Sequence, residues 1–168
     1  MFVDKTTFAV GENARMVLDE MIFDPGSNNV SSVTSLLQGA FVIITGEIGK
    51  LSPESVVINT PAAQIGIRGT GIYLEVYPER NYVCLCYGRA VLKSKLEPRV
   101  REALNTTHHE GPRNFHADPK ARGTKFIEKA KMVNHKDTEL IMLEALVGRI
   151  PKFGDKPIKM PEGSYGKN

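Results

Sequence analysis

Residues 58–70 read Ile58-Asn59-Thr60-Pro61-Ala62-Ala63-Gln64-Ile65-Gly66-Ile67-Arg68-Gly69-Thr70. Proline fixes φ and lacks an N–H, so the apolar run Val56-Val57-Ile58 must stop as a strand at Thr60-Pro61. Alternation restarts over Gln64–Arg68, breaks at Gly69-Thr70 and resumes over Gly71–Tyr77. Gly66 and Gly69 flank Arg68 at this break in period two, which predicts a bulge or a close backbone approach. Arg68 is then placed to reach backbone carbonyls or an acidic partner and hold a corner. The competing reading is an anion cradle. It lacks the Lys-Ser/Thr pair of a P-loop, and no helical pattern follows.

The same strand-and-break pattern extends in both directions. Thr6–Val10, Arg15–Phe23, Val33–Leu37 and Phe41–Thr45 come before it, separated by Gly11, Asp24-Pro25-Gly26 and Gln38-Gly39. Asn81–Leu92 follows as the longest β run. Short strands at this spacing with no fixed-period repeat predict a mainly β fold. An irregular β-sandwich or a short solenoid-like stack through residue 92 fits best.

Beyond Leu92 the pattern changes. Pro98–Leu104 predicts one or two helical turns, and Thr107–Gly123 reads as loop. Asp137–Arg149 predicts a C-terminal helix, with Asp137 as its cap and Leu140, Leu143, Leu146 and Val147 as its apolar stripe. Gly148 and Pro151 stand where that helix should stop. The chain thus divides into a β domain (1–92), a loop-rich extension with one packed helix (93–150) and a Lys/Pro/Gly-rich flexible tail (151–168). The helix must cover its stripe on its own sheet or on a partner.

Composition is that of a globular protein: 168 residues, 41% apolar and 24% charged, with a net charge of +3. Residues 1–92 carry six Lys/Arg against nine Asp/Glu, a net of −3; residues 93–168 carry sixteen against ten, a net of +6. The basic half scatters its lysines among Glu, Asp and Pro without interleaved aromatics. That argues for a solvated surface and against a nucleic-acid partner. No stretch is long and apolar enough for a transmembrane helix, and no signal peptide is visible.

Residues 58–70, with Thr60-Pro61 leading into Ile65-Gly66-Ile67-Arg68-Gly69-Thr70, resemble the core signature of FecR-type domains. Thr6-Thr7-Phe8, Glu12–Glu20, Phe23-Asp24-Pro25 and Gly39–Gly46 look like the same family, so the resemblance covers roughly residues 4–92. It marks Thr60, Pro61, Gly66, Arg68, Gly69 and Thr70 as a structural motif. It also implies strands before residue 1, a bacterial and periplasmic or secreted location, and a non-catalytic sensing, signalling or scaffolding role. The partner it implies is another protein or a cell-envelope component. The membrane span and cytoplasmic segment of the family's regulators are not visible in this chain.

Cys84 and Cys86 share one strand face, because positions i and i+2 point the same way. A disulfide between them would be awkward, since same-face neighbours sit near the upper bridging limit. All four histidines, His108, His109, His116 and His135, lie in the second half. With the two thiols, His108, His109 and His135 offer a Cys2His2 set for zinc or iron, at a spacing that matches no standard finger. Two small buried side chains on a core face are the plainer reading of the cysteines.

Catalysis has little to stand on. There is no Gly-x-Ser-x-Gly elbow, and His109-Glu110 does not continue into His-Glu-x-x-His. Asp19 and Glu20 are adjacent, hence on opposite strand faces, and make a poor acid/base pair. The expectation is therefore a binding module, with a metal- or metal-complex-binding protein as the alternative and a hydrolase or lyase third.

Overall fold

The computed structural model describes residues 1–109 and 111–151. Among these the chain is mainly β, with nine strands in one mixed sheet and a C-terminal helix. The strands are β1 (Thr7–Val10), β2 (Arg15–Asp24), β3 (Asn29–Ile44), β4 (Val56–Asn59), β5 (Ala63–Val76), β6 (Arg80–Ser94), β7 (Arg101–Thr106), β8 (Arg113–His116) and β9 (Ile127–Lys129). The helices are α1 (Ile48–Leu51), α2 (Pro119–Arg122) and α3 (Asp137–Ala145), with a 3-10 turn at Pro53–Ser55. The expected tail lies, apart from Pro151, outside the described residues.

Three long strands do different work in their two halves. The first half of β3 pairs with β2 and, in parallel, with β4; its second half pairs with β1 and β5. β5 and β6 pair along nearly their whole lengths, with the register shifting between Arg68 and Ile72. The shift lies beside Gly88, at φ +94, where a Cβ would stand 2.5 Å from the Gly69 carbonyl oxygen. Only glycine fits such a crossing. There the sheet bends, and its halves share one core: Leu36, Ile58, Ile65 and Leu92 meet Phe41, Ile72, Leu74, Val83 and Leu85. This is the irregular sandwich expected from the strand pattern.

Beyond Leu92 the structure departs from expectation. The anticipated break falls inside β6, and the chain after it adds β7, β8 and β9 to the same sheet. Residues 101–106 form a strand in place of the helical turns expected over Pro98–Leu104. The second half of β6 presents an unpaired edge there, and pairing along it overrides the helix preference of Arg-Glu-Ala-Leu. The expected loop over Thr107–Gly123 contains β8, anchored by fully buried Phe115, and α2, whose Asp118 carboxylate accepts from the Ala121 N–H.

The helix α3 packs on its own sheet. Nine residues are too few for a stable isolated helix, so tertiary burial must hold it. Leu140 and Leu143 sit on Val42, Ile44, Tyr73, Tyr82, Cys84 and Cys86. Each contributes about 1.5–3 kcal/mol by leaving water. The regular helix ends at Ala145, short of the expected Arg149, and Gly148 closes the following turns at φ +69. Leu146 is consequently 68% exposed and leaves the expected stripe, while Glu144 turns inward. Lys136, not Asp137, occupies the cap position.

A candidate metal centre of two cysteines and two histidines

Alternation along β6 decides where the thiols point. Val83 and Leu85 enter the main core, which forces Cys84 and Cys86 onto the opposite face, beneath α3. Both cysteines are fully buried and unbridged. Two distant segments bring histidines to the same point: the turn after β7 supplies His109, and the strap between β9 and α3 supplies His135. The ligand atoms of Cys84, Cys86, His109 and His135 all lie within 4.8 Å of one another.

Each imidazole is aimed by its far nitrogen. His109 places Nε2 2.8 Å from the Asp137 carboxylate, and His135 places Nδ1 2.6 Å from the Val133 carbonyl. Both acceptors are oxygens without protons, so each of those nitrogens is the N–H donor. The near nitrogens, His109 Nδ1 and His135 Nε2, then face each other across a hydrogen bond of 3.1 Å. His109 Nδ1 is also 3.7 Å from the Cys84 sulfur. Both nitrogens point at the space between them and the sulfurs, where a cation displacing the shared proton would be bound by each.

Far-nitrogen donation to a carboxylate or a carbonyl is the usual outer support of a metal-bound histidine. The spacings agree. Nitrogens about 2.0–2.1 Å from one tetrahedral zinc stand about 3.4 Å apart, and a sulfur at about 2.3 Å stands about 3.6 Å from either. The His109–His135 and His109–Cys84 spacings therefore match zinc to within a few tenths of an ångström, and no two of the four donors stand farther apart than 4.8 Å.

Electrostatics prepare the ligands. The Cys86 thiol, with His109 and His135 beside it, pulls the Cys84 thiol down to about 4 against the opposing effect of burial. Cys86 moves the other way, pushed up by its contact with Cys84 and by burial. Burial would lower His109, but Cys84 and Asp137 outweigh it and raise it. These surroundings favour the thiolate form of Cys84, the form of cysteine that binds metals. Backbone strain converges on the same point: His109 has φ +49 and Asn134, beside His135, has φ +54. Left-handed non-glycine residues of this kind concentrate at functional sites.

Of the expected ligands, His108 stays outside. It is half exposed, and its Nε2 lies 3.0 Å from both Asp137 oxygens. His116, on β8, pairs with Glu128 at 3.2 Å. Asp137, expected only as a helix cap, emerges as the carboxylate that aims His109. Its place two residues after His135 was the one available signal. Tyr73, stacked 4.2 Å from the His135 ring, and Tyr82, which bonds the strap through the Lys131 carbonyl and the Val133 N–H, had none. Replacing Asp137 by alanine should weaken zinc binding about 10–100-fold in a competition titration, by freeing the His109 ring.

The Thr60–Thr70 motif builds a turn and a corner. Thr60 Oγ1 accepts from the Ala63 N–H at 2.9 Å, and Asn81 Oδ1 accepts from the Ala62 N–H at 3.0 Å. At the corner, the Thr70 N–H donates to Thr45 Oγ1 at 2.8 Å, and Thr45 donates back to the Thr70 carbonyl. Arg68 does not hold it: the side chain is exposed and acts on Glu54 through charge alone. Gly66 pairs in regular register, so the expected irregularity belongs to Gly69 only. Gly69, Thr70 and Gly88 open onto a cleft of about 530 Å³, whose far wall carries Glu144 and Arg149.

No protein-family model and no curated protein matches this sequence. Solved structures with the same fold include two crystal structures. Both are described as candidate anti-sigma factors from Parabacteroides distasonis ATCC 8503. One, a 1.65 Å crystal structure, aligns with TM-score 0.57 at 13% identity over 82% of this chain and 57% of its own. The other, at 2.50 Å, aligns with TM-score 0.53 at 15% identity over 81% and 55%. The chain spans a little over half the length of each. At these identities the likeness is one of fold.

Proposed function

We propose that this chain is a non-catalytic sensing or regulatory module of FecR type, and that it binds one thiophilic metal ion, zinc foremost and iron as the alternative. The observation that carries the metal reading is the convergence of four donors whose imidazoles are already aimed by Asp137 and Val133. Four protein donors, buried or nearly so, leave no open coordination position for a substrate. A closed site suits structure or sensing rather than hydrolysis.

The regulatory part of the reading draws on the neighbours described as candidate anti-sigma factors and on the FecR-like motif. It carries with it a protein or cell-envelope partner and a periplasmic or secreted location. The test is native mass spectrometry of reduced protein after incubation with zinc or ferrous iron, against its denatured mass. One equivalent, lost on denaturation, is the expected result. An unchanged mass with both metals would overturn the metal reading. Pull-down on immobilised protein from a periplasmic extract, with and without chelator, addresses the partner.

A further inference from the structure

We propose that the metal ion is the clasp that seats α3 on the sheet, so that metal occupancy sets the position of the helix and of the cleft wall it carries. The proposal rests on the metal reading above and adds its regulatory consequence.

The ligands come from three separate pieces of chain. Cys84 and Cys86 belong to β6, which pairs with β5 on one side and, on the other, with β8 before the cysteines and β7 after them. His109 belongs to the turn after β7, and His135 to the strap that leads directly into α3. Asp137, the first helical residue, is bonded to His109. An ion at this point therefore ties the start of α3 to β6 twice: directly through His135, and through Asp137 and His109.

Without the ion the same point works against closure. Four ligand atoms of Cys84, Cys86, His109 and His135 then crowd within 4.8 Å of one another, in a largely buried place. Taking four such polar groups out of water costs free energy that bonds to an ion would offset. The strap's other ties are Tyr82 to Lys131 and Val133, Asn134 Nδ2 to Glu75 at 2.7 Å, the His135–Tyr73 stack, the Ala130 N–H to the Pro112 carbonyl, and the packing of Ala130 and Val133 on the cluster beneath α3. The helix itself is short, and its buried face amounts to Leu140, Leu143 and Glu144.

Movement of α3 reaches the cleft. Glu144 accepts from the Tyr87 hydroxyl at 2.5 Å and pairs with Arg149 at 2.6 Å. Arg149 also donates to the Thr45 carbonyl, beside the Thr45–Thr70 corner. The metal centre and the corner of the glycine-threonine motif thus share one rigid element, the helix, at its two ends. A two-position helix biased by an ion at one end is a sufficient physical basis for coupling.

The experiment is hydrogen–deuterium exchange of the full chain, zinc-loaded and chelated, with metal content measured in the same samples. The expected result is exchange at least tenfold faster for amides 133–149 in the chelated protein, while amides of β3 and β5 change less than twofold. Adding zinc to a Cys84→Ser/Cys86→Ser variant should leave residues 133–149 fast. Equal protection of α3 in samples of verified, different metal content would overturn the clasp while leaving the metal site standing. Equal loss of protection across all strands would also overturn it, because the ion would then support the whole fold. Failure of the wild type to load zinc would overturn the metal reading itself, and is read from mass alone.

Discussion

Replacing Cys84 and Cys86 together by serine should abolish stoichiometric zinc binding, with affinity falling roughly 100-fold or more. Thiolates supply a large share of a binding free energy that is on the order of 10 kcal/mol in small zinc sites. A competition titration against a chromophoric chelator measures the loss directly. If the cysteines serve only as small buried side chains, a different result follows. Each serine hydroxyl then costs about 1–2 kcal/mol of stability for lack of a partner, and the metal content of wild type and variant is the same. Measuring urea stability of the variant beside chelated wild type separates the two effects. A wild type that binds one zinc and a variant that binds none would leave the packing-only account without force.

Arg149→Met should destabilise the fold by about 3–5 kcal/mol, the cost of stranding a buried carboxylate. Glu144 is nearly inaccessible, and its carboxylate is shared between Tyr87 and Arg149. The double variant Glu144→Gln/Arg149→Met should recover most of that loss, because it removes both charges. Urea denaturation of the two variants decides the matter. A loss below about 1 kcal/mol for the single variant would place the pair among ordinary exposed ion pairs, which stabilise little.

Much of the first ninety residues was legible because alternation and turn chemistry are local signals. Arg15–Phe23, Phe41–Thr45 and Gly71–Tyr77 are strands for reasons visible within each run. β7 was not legible. Arg101-Glu102-Ala103-Leu104 favours helix by composition, and only the waiting edge of β6 makes it extended. β8 was hidden in the same way, since four residues with one buried phenylalanine carry no period of their own. The candidate site divides likewise. The shared face of Cys84 and Cys86 follows from strand geometry, and the choice of His109 and His135 from among four histidines does not. That choice is made by the left-handed turn at His109 and by the strap under Asn134, features of tertiary structure. The role of Arg68 failed for a related reason: two threonines 25 residues apart took the corner that one arginine was expected to hold.

The alternation that turns Cys84 and Cys86 away from Val83 and Leu85 has a bearing on how the chain avoids misfolding. β5 and β6 are long and rich in interchangeable apolar residues, the kind of pair that can zip up one or two positions out of place. A slip of one residue would turn both thiols into the main core and expel Val83 and Leu85. A slip of two would keep the faces but carry Cys84 about 7 Å along the strand, out of reach of His109 and His135. A single ion held at the proposed site would therefore proofread the alignment of twelve residue pairs. Chains caught in the wrong alignment would then be told from the rest by their failure to bind it.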